Sequence, residues 1–400
     1  MSQLQLLGYL SQATTTSGEL FNVQSPSQSA FGELSTAVNY PIIQDGFPYN
    51  YISNIEYEQN VTGAGTINVV DGKAQLNVTS GTDTAELINR KYVRYANGQG
   101  LLIRFTCYFD NFGAGTEGYV GFFDSQDGFI INYNTVDGLS IIRRFMGTDF
   151  KTVQADFSED TLDGNGPSGM IYDPTLGNVF QIGLQWLGYG QVCFCIENPE
   201  TGGFFPFHKI KYANSSQDTT IRNPSLRFTG LIESAGNAGT IAIPSIGVFN
   251  QGPRVLNGPS FGISNTLNVS GTPDPVLAIR NLTTVNGLTN RTAISIKTIS
   301  LGYADTGNCL VQILGNPTIV GGTWSDVLTN ESVVEQNTTM TGYSGGRSIA
   351  FFTLTDYQTQ ILRFGDYENM IQPGQTLLIV FDSTGGAGDA LASLSWREDK

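Results

Sequence analysis

The stretch LDGNGPSGMIYDPTLGNVFQIGLQWLGYGQVCFCIENPETGGFFPFHKIKYAN, residues Leu162–Asn214, decides the fold. A loop rich in Gly, Asn and Pro opens it. Two apolar runs follow, Val179–Leu187 and Gln191–Glu197, separated by Gly188-Tyr189-Gly190. A second turn, Asn198–Gly203, leads into a third run, Phe204–Ala213. Short apolar runs bounded by residues that accept positive φ read as antiparallel strands joined by tight turns. No residue in these runs points to catalysis.

The same rhythm extends outward in both directions. Residues 66–80 give two strands around Asp71-Gly72, and residues 85–110 give a strand, a turn at Asn97-Gly98 and a long alternating strand. Residues 118–154 read as a meander with turns at Asp127-Gly128 and Asp137-Gly138. Ser225–Ser234 and Gly239–Asn250 are expected to add edge strands. Pro41 and Pro48 exclude a central strand from residues 31–60, which are expected to cross the domain as an extended segment. Beyond residue 262, apolar strands recur at 275–281, 291–303, 309–315, 347–355, 376–382 and 390–398.

A chain of 400 residues exceeds one ordinary core and suggests about two domains. Charged residues are only 14%, and 48 glycines help fill the gap, which suits many short strands and not helices. The expected fold is all-β: two β-sandwich domains, concanavalin- or jelly-roll-like, with an extended N-terminal arm. The arm is placed at residues 1–30, the large sandwich at 31–250, a linker at 251–262 and the small sandwich at 263–400. The arm carries an apolar knot, Leu4, Leu6, Leu7, Tyr9 and Leu10, suited to docking on a neighbouring subunit.

The net charge of −15 repels phosphate backbones and anionic membrane surfaces, so neither a nucleic acid nor a membrane is an expected partner. Met1–Gln12 lacks a basic start and a long apolar core, so no secretory signal is expected. No apolar run approaches the roughly 18 residues of a membrane-spanning helix. The Asn-x-Ser/Thr triplets at Asn60, Asn77, Asn281, Asn290 and Asn337 carry no weight in a chain so rich in these residues. The four cysteines, Cys107, Cys193, Cys195 and Cys309, read as buried reduced thiols. Cys193 and Cys195 alternate on one strand and share a face. A zinc site wants several Cys and His ligands, and the chain has one His.

The residues that could carry chemistry each have a structural role open to them. His208, the one imidazole, sits on a strand with no nucleophile elbow elsewhere and reads as structural. The carboxylate pairs Asp124 with Asp127 and Glu159 with Asp163 would suit glycoside hydrolysis, but they lie in turns that Asp favours anyway. Asp160, Asp163 and Asn165 precede Gly166 in an oxygen-rich loop whose spacing does not match a calcium-loop motif. Trp186, Tyr189, Phe204, Phe205 and Phe207 would line a carbohydrate groove, although alternation sends part of them inwards. No catalytic, cofactor-binding or metal-ligating residue is therefore assigned, and no cofactor is expected.

Several segments together resemble a virion-protein family of tailed bacteriophages and large DNA viruses. They are Ser29–Asn50, Arg94–Asp110, Gly118–Arg144 and Leu162–Asn214, with Pro275–Asn281, residues 321–327, Ser332–Thr339 and Leu391–Glu398 in the second domain. The resemblance implies a virion component, whether capsid decoration, fibre or tail appendage, and carries no catalytic residues. It implies assembly with other virion proteins in the host cytoplasm, as a homo-oligomer, with trimers the commonest form of such spikes. The expected function is that of a non-enzymatic virion structural protein. The alternatives are a receptor-binding module that grips a host glycan and, more distantly, a glycan-degrading tailspike.

Overall fold

The larger unit is built around β6 (Gly100–Asp110), whose residues Leu101, Ile103, Phe105, Cys107 and Phe109 alternate into the core. The computed structural model describes residues 38–400 except 80, 254–256, 366–369, 385 and 399. The expected arm, residues 1–30, lies outside the described residues. The chain divides near residue 254 into two compact units.

Before β6 the larger unit has β1 (Asn39–Gly46), β2 (Tyr57–Thr62), β3 (Thr66–Val70), β4 (Lys73–Val78) and β5 (Thr84–Asn89). After it come β7 (Thr116–Phe123), β8 (Gly128–Asn134), β9 (Gly138–Phe145), β10 (Thr148–Val153) and β11 (Asn178–Leu184). The last are β12 (Val192–Glu197), β13 (Phe204–Ile210), β14 (Phe228–Ser234), β15 (Gly239–Ile243) and β16 (Ser245–Gln251). One antiparallel sheet has seven strands in the order β10-β9-β8-β7-β14-β5-β2. The other has nine: β13-β12-β11-β6, then a fork in which β16 and β1 continue one branch and β15, β4 and β3 the other.

The two sheets face each other through rings. Phe105 of β6 stacks on Phe180 of the same sheet at 5.7 Å and meets Phe228 of the opposite sheet edge-on at 5.5 Å. The turn between β3 and β4 uses Asp71 and Gly72, both with positive φ (50° and 72°), as a two-residue hairpin demands.

Three expectations change. Ser225–Ser234 is not an edge: β14 lies between β7 and β5. Likewise β15 and β16 both pair with β6 in the middle of their sheet. β16 alternates buried with more open residues, so a strand hydrogen-bonded on both edges still leaves one face outwards. Pro41 sits inside a true strand, but at an edge: β1 pairs only with β16, and the register slips between Pro41 and Ile43. A proline without an amide donor is tolerated there.

The smaller unit, taken by itself, is also all-β. Its five-stranded sheet runs Ser260–Ser270, Ala387–Glu398, Ile294–Ala304 and Thr359–Arg363, with Met370–Ile371 beside the third. Its six-stranded sheet runs Ser325–Asp326, Val334–Asn337, Asp274–Asn281, Thr376–Ser383, Asn308–Gly315 and Arg347–Thr355. Strand enters only the two ends of the expected 251–262 linker, since β16 ends at Gln251 and the next strand starts at Ser260. Ser, Asn and Thr on the exposed face of Ser260–Ser270 disguise it as loop, while Phe261, Ile263 and Leu267 pack inwards. Trp396 is fully buried beside Phe261, with ring centroids 6.2 Å apart.

Truncating Phe105 to Ala removes a ring fixed by both sheets and should destabilise the larger unit by about 3–5 kcal/mol. Urea denaturation followed by intrinsic fluorescence checks this; a loss below about 1 kcal/mol would contradict the packing described.

Candidate functional site

The sequence candidates do not converge. The buried His208 ring packs against Phe157 at 5.7 Å, and its Nδ1 accepts the Ser158 amide at 3.1 Å. Burial lowers its pKa, the neutral form a structural histidine keeps. Asp124 accepts the Gln126 and Asp127 amides, and the buried Asp127 accepts the Arg222 amide at 3.0 Å. Glu159 pairs with Lys209 and Lys211. Asp160 accepts the Leu162 and Ser168 amides at 2.8 and 2.7 Å, so this carboxylate staples its own loop. Asp163 accepts the Asn165 amide within the same loop.

The five aromatics scatter. Phe207 is fully buried, Phe205 packs against the core, and Trp186 meets Tyr95 at 6.1 Å while donating its Nε1–H to the Ile221 carbonyl. Phe204 lies instead over the Arg104 guanidinium, and the exposed Tyr189 donates to the Gln217 carbonyl. They do not form one groove. The four cysteines are buried and free, with the Cys193 and Cys195 sulfurs 3.4 Å apart on a shared face.

What the structure does bring together is on the outer face of the seven-stranded sheet. Period-two alternation turns Val120 and Phe122 inwards and leaves Glu117, Tyr119 and Phe123 of β7 outwards. Register then places Glu233 of β14 directly opposite Glu117, Leu231 opposite Tyr119, and Asn132 of β8 opposite Tyr119 on its other side. Asn132 meets Ser140 of β9, whose hydroxyl donates to Asn132 Oδ1 at 2.7 Å.

Lys151 of β10 donates to Glu117 Oε1 at 2.8 Å and to Asp137 Oδ2 at 2.8 Å. The strands β10 and β7 are three spacings apart, about 14 Å on a flat sheet. The Lys151 and Glu117 side chains close that gap across β9 and β8. Beneath this bridge lie Tyr119, Ile130, Asn132, Ser140 and Ile142, all buried although they point away from the core, and this bridged strip of the outer face is the trough. Gly121 belongs to the same strip: a Cβ there would lie 2.3 Å from the Phe129 carbonyl oxygen, so only glycine fits.

The facing carboxylates titrate apart. Burial pushes Glu117 up, but Lys151, Tyr119 and Asn132 outweigh it through hydrogen bonds and charge, and the net pKa lies below the ordinary 4.5. Glu233 is pushed above it, first by desolvation and then by repulsion from Glu117, which the Arg144 charge only partly offsets. Among the described residues no hydrogen bond or ion pair holds the Glu233 carboxylate. Arg144 is itself clamped by Asp149, with contacts of 2.6 and 3.0 Å. Opposed carboxyls with divergent pKa values are the pattern that separates an acid from a base. This face thus sets a carboxyl with a raised pKa beside one with a lowered pKa.

No family model matches the chain, and no curated protein matches it. Solved structures are similar to about half of it. A glycosyl hydrolase family protein from Mycobacterium fortuitum shares 11% identity over 53% of this chain and 100% of its own, with a TM-score of 0.38. A beta-1,3-glucanase from Mycobacterium marinum shares 11% over 52% and 98%, at 0.37. The Emp47p carbohydrate recognition domain shares 8% over 52% and 95%, at 0.34. These likenesses to glycosyl hydrolases and glucanases correct the expectation of a chain without enzymatic activity. None of these structures is a virion protein.

Replacing Lys151 with Met removes the cation and the hydrogen bond that hold Glu117 ionised and should raise its pKa; carboxyl-carbon NMR titration reads the change. The bridge also predicts a sign for stability. With its folded pKa depressed, Glu117 stabilises above its unfolded pKa, and the contribution disappears as pH falls through the lowered folded value. An unmoved Glu117 titration in the Lys151→Met protein would contradict the coupling.

Proposed function

We propose that this chain is a virion component that binds a host-surface glycan in the trough of the seven-stranded sheet and cleaves it with Glu117 and Glu233. The observation that supports the chemistry is the direct opposition of these two carboxyls with their pKa values driven apart. In this reading Glu233 gives its proton to the glycosidic oxygen as the C–O bond breaks. Glu117, kept ionised by Lys151, forms a bond to the anomeric carbon, and a water deprotonated by Glu233 then releases the sugar. Directly opposed residues have Cβ atoms about 4.5–5.5 Å apart. Cβ atoms this close let both carboxyls reach one glycosidic bond, and retaining hydrolysis requires the carboxyls roughly 5–5.5 Å apart. The virion part of the reading is supported by the family resemblance of Arg94–Asp110, Gly118–Arg144 and Leu162–Asn214. It implies assembly with other virion proteins as a homo-oligomer.

The test is release of reducing sugar from host-envelope polysaccharides. Glu117→Gln and Glu233→Gln should each slow release by about 10²- to 10⁴-fold with the fold intact by circular dichroism. The rate should fall in acid through a pKa below 4.5, as Glu117 protonates, and in base through one above 4.5, as Glu233 ionises. A wild-type chain that binds these glycans and releases nothing would remove the cleavage step. Absence of the chain from purified particles by mass spectrometry would remove the virion assignment.

A further inference from the structure

On the opposite side of the same sandwich, the outer face of the nine-stranded sheet holds a cavity of about 420 Å³. Gln44, Arg104, Thr106, Ser245 and Phe249 line it, together with Asp45, whose carboxylate is taken by the Tyr57 hydroxyl and the Gly46 amide. Arg104 lies on β6, half-buried, and alternation turns it away from the core. Its guanidinium sits over two rings, 5.2 Å from the Phe204 centroid and 5.8 Å from that of Phe249. Its Nε donates to Gln181 Oε1 at 2.8 Å, which fixes the plane of the fork.

Arg104, like Arg143 over the Phe150 and Tyr212 rings, differs from the arginines that meet an acid. Arg90 and Arg227 reach Glu58, Arg144 reaches Asp149, and Arg280 reaches Glu335. Arg104 has no carboxylate partner among the described residues, although the chain has 35 acidic residues for 20 basic ones. Burial lowers its pKa, as expected of a cation drawn from water without a counter-charge. Holding such a cation costs free energy that a bound anion would offset.

We infer that this cavity is a binding site for the carboxylate of an acidic saccharide, a uronic-acid unit. With Nε committed to Gln181, the terminal nitrogens of the fork remain to take a planar carboxylate in the paired geometry guanidinium favours. The Thr106 and Ser245 hydroxyls, 3.2 Å apart, offer donors and acceptors at the sugar-hydroxyl end. Phe249 offers an apolar wall for a sugar's C–H face. Gly247 keeps that wall close: a Cβ there would lie 2.8 Å from the Phe249 ring. The hydroxyl and amide lining suits a saccharide better than an acidic peptide, which would bring a backbone needing a strand edge. The site uses neither Glu117 nor Glu233, so it stands or falls independently of cleavage in the trough.

The test is calorimetric titration of the full chain with tri-galacturonic acid, neutral tri-galactose and a tri-glutamate peptide. The acidic sugar should bind, with affinity falling as salt is raised, and the neutral sugar should bind at least tenfold more weakly. Arg104→Met keeps the side-chain stem between the rings and should cost at least tenfold. Arg104→Lys keeps the charge but not the fork and should fall between; it also serves if the Met variant fails to fold. No binding of tri-galacturonate by folded wild type overturns the proposal. So does undiminished binding by either variant, or binding of tri-glutamate as tight as the sugar's.

Discussion

The larger unit depends on one strand buried along its length. β6 pairs with β11 on one side and, on the other, with β16 and then β15. Its inward residues form a continuous apolar row under the opposite sheet. Burying five such side chains is worth roughly 1.5–3 kcal/mol each before ordering entropy is counted. The fork at β6 lets one strand organise nine, and it leaves the outward residues, Arg104 among them, in the middle of a broad face. The strand that builds the core therefore also positions a cation on the surface.

The outer face of the seven-stranded sheet is organised by reach across strands. As separate solvated charges, Glu117, Glu233 and Lys151 would have little mutual consequence. Lys151 of β10 instead reaches Glu117 of β7, Asp149 faces Arg144 directly in the register of β10 with β9, and Tyr119 and Asn132 are buried on a face that points away from the core. Burial then amplifies each electrostatic difference. Glu117 acquires a cation and hydrogen bonds; Glu233, one strand away, acquires desolvation and a neighbouring anion that Arg144 only partly offsets. The divergence of two chemically identical groups follows from which strand Lys151 can reach.

Local signals made the architecture legible. The Asp71-Gly72 turn, the paired cysteines of β12 and the strands around Leu162–Asn214 all follow from spacing two or three residues long. Long-range pairing was not legible. Glu233 sits in FTGLIES, a run whose alternation permits either an edge or a central strand. Only its pairing with β7 makes Glu117 its neighbour. The sequence candidates, by contrast, were acids close together in turns, where backbone amides had already claimed Asp124, Asp127 and Asp160. Nearness along the chain selected turn chemistry; nearness across strands selected the site.

Cations are the scarce charge in this chain, so where they stand is informative. On the trough side they are spent on named acids: Lys151 on Glu117 and Asp137, Arg144 on Asp149, Arg90 and Arg227 on Glu58. These pairs neutralise a face that would otherwise repel itself, and Glu233 is left as its unpaired acid. If acidity served solubility alone, a half-buried cation would be expected to find one of the many carboxylates. Arg104 instead spends its contacts on an amide and two rings, groups that hold a guanidinium in place without neutralising it. An arrangement that orients a charge and leaves it uncompensated stores binding free energy for an anion from outside the chain. The two outer faces of one sandwich thus carry opposite unmet demands, a carboxyl inclined to keep its proton and a guanidinium without an acid.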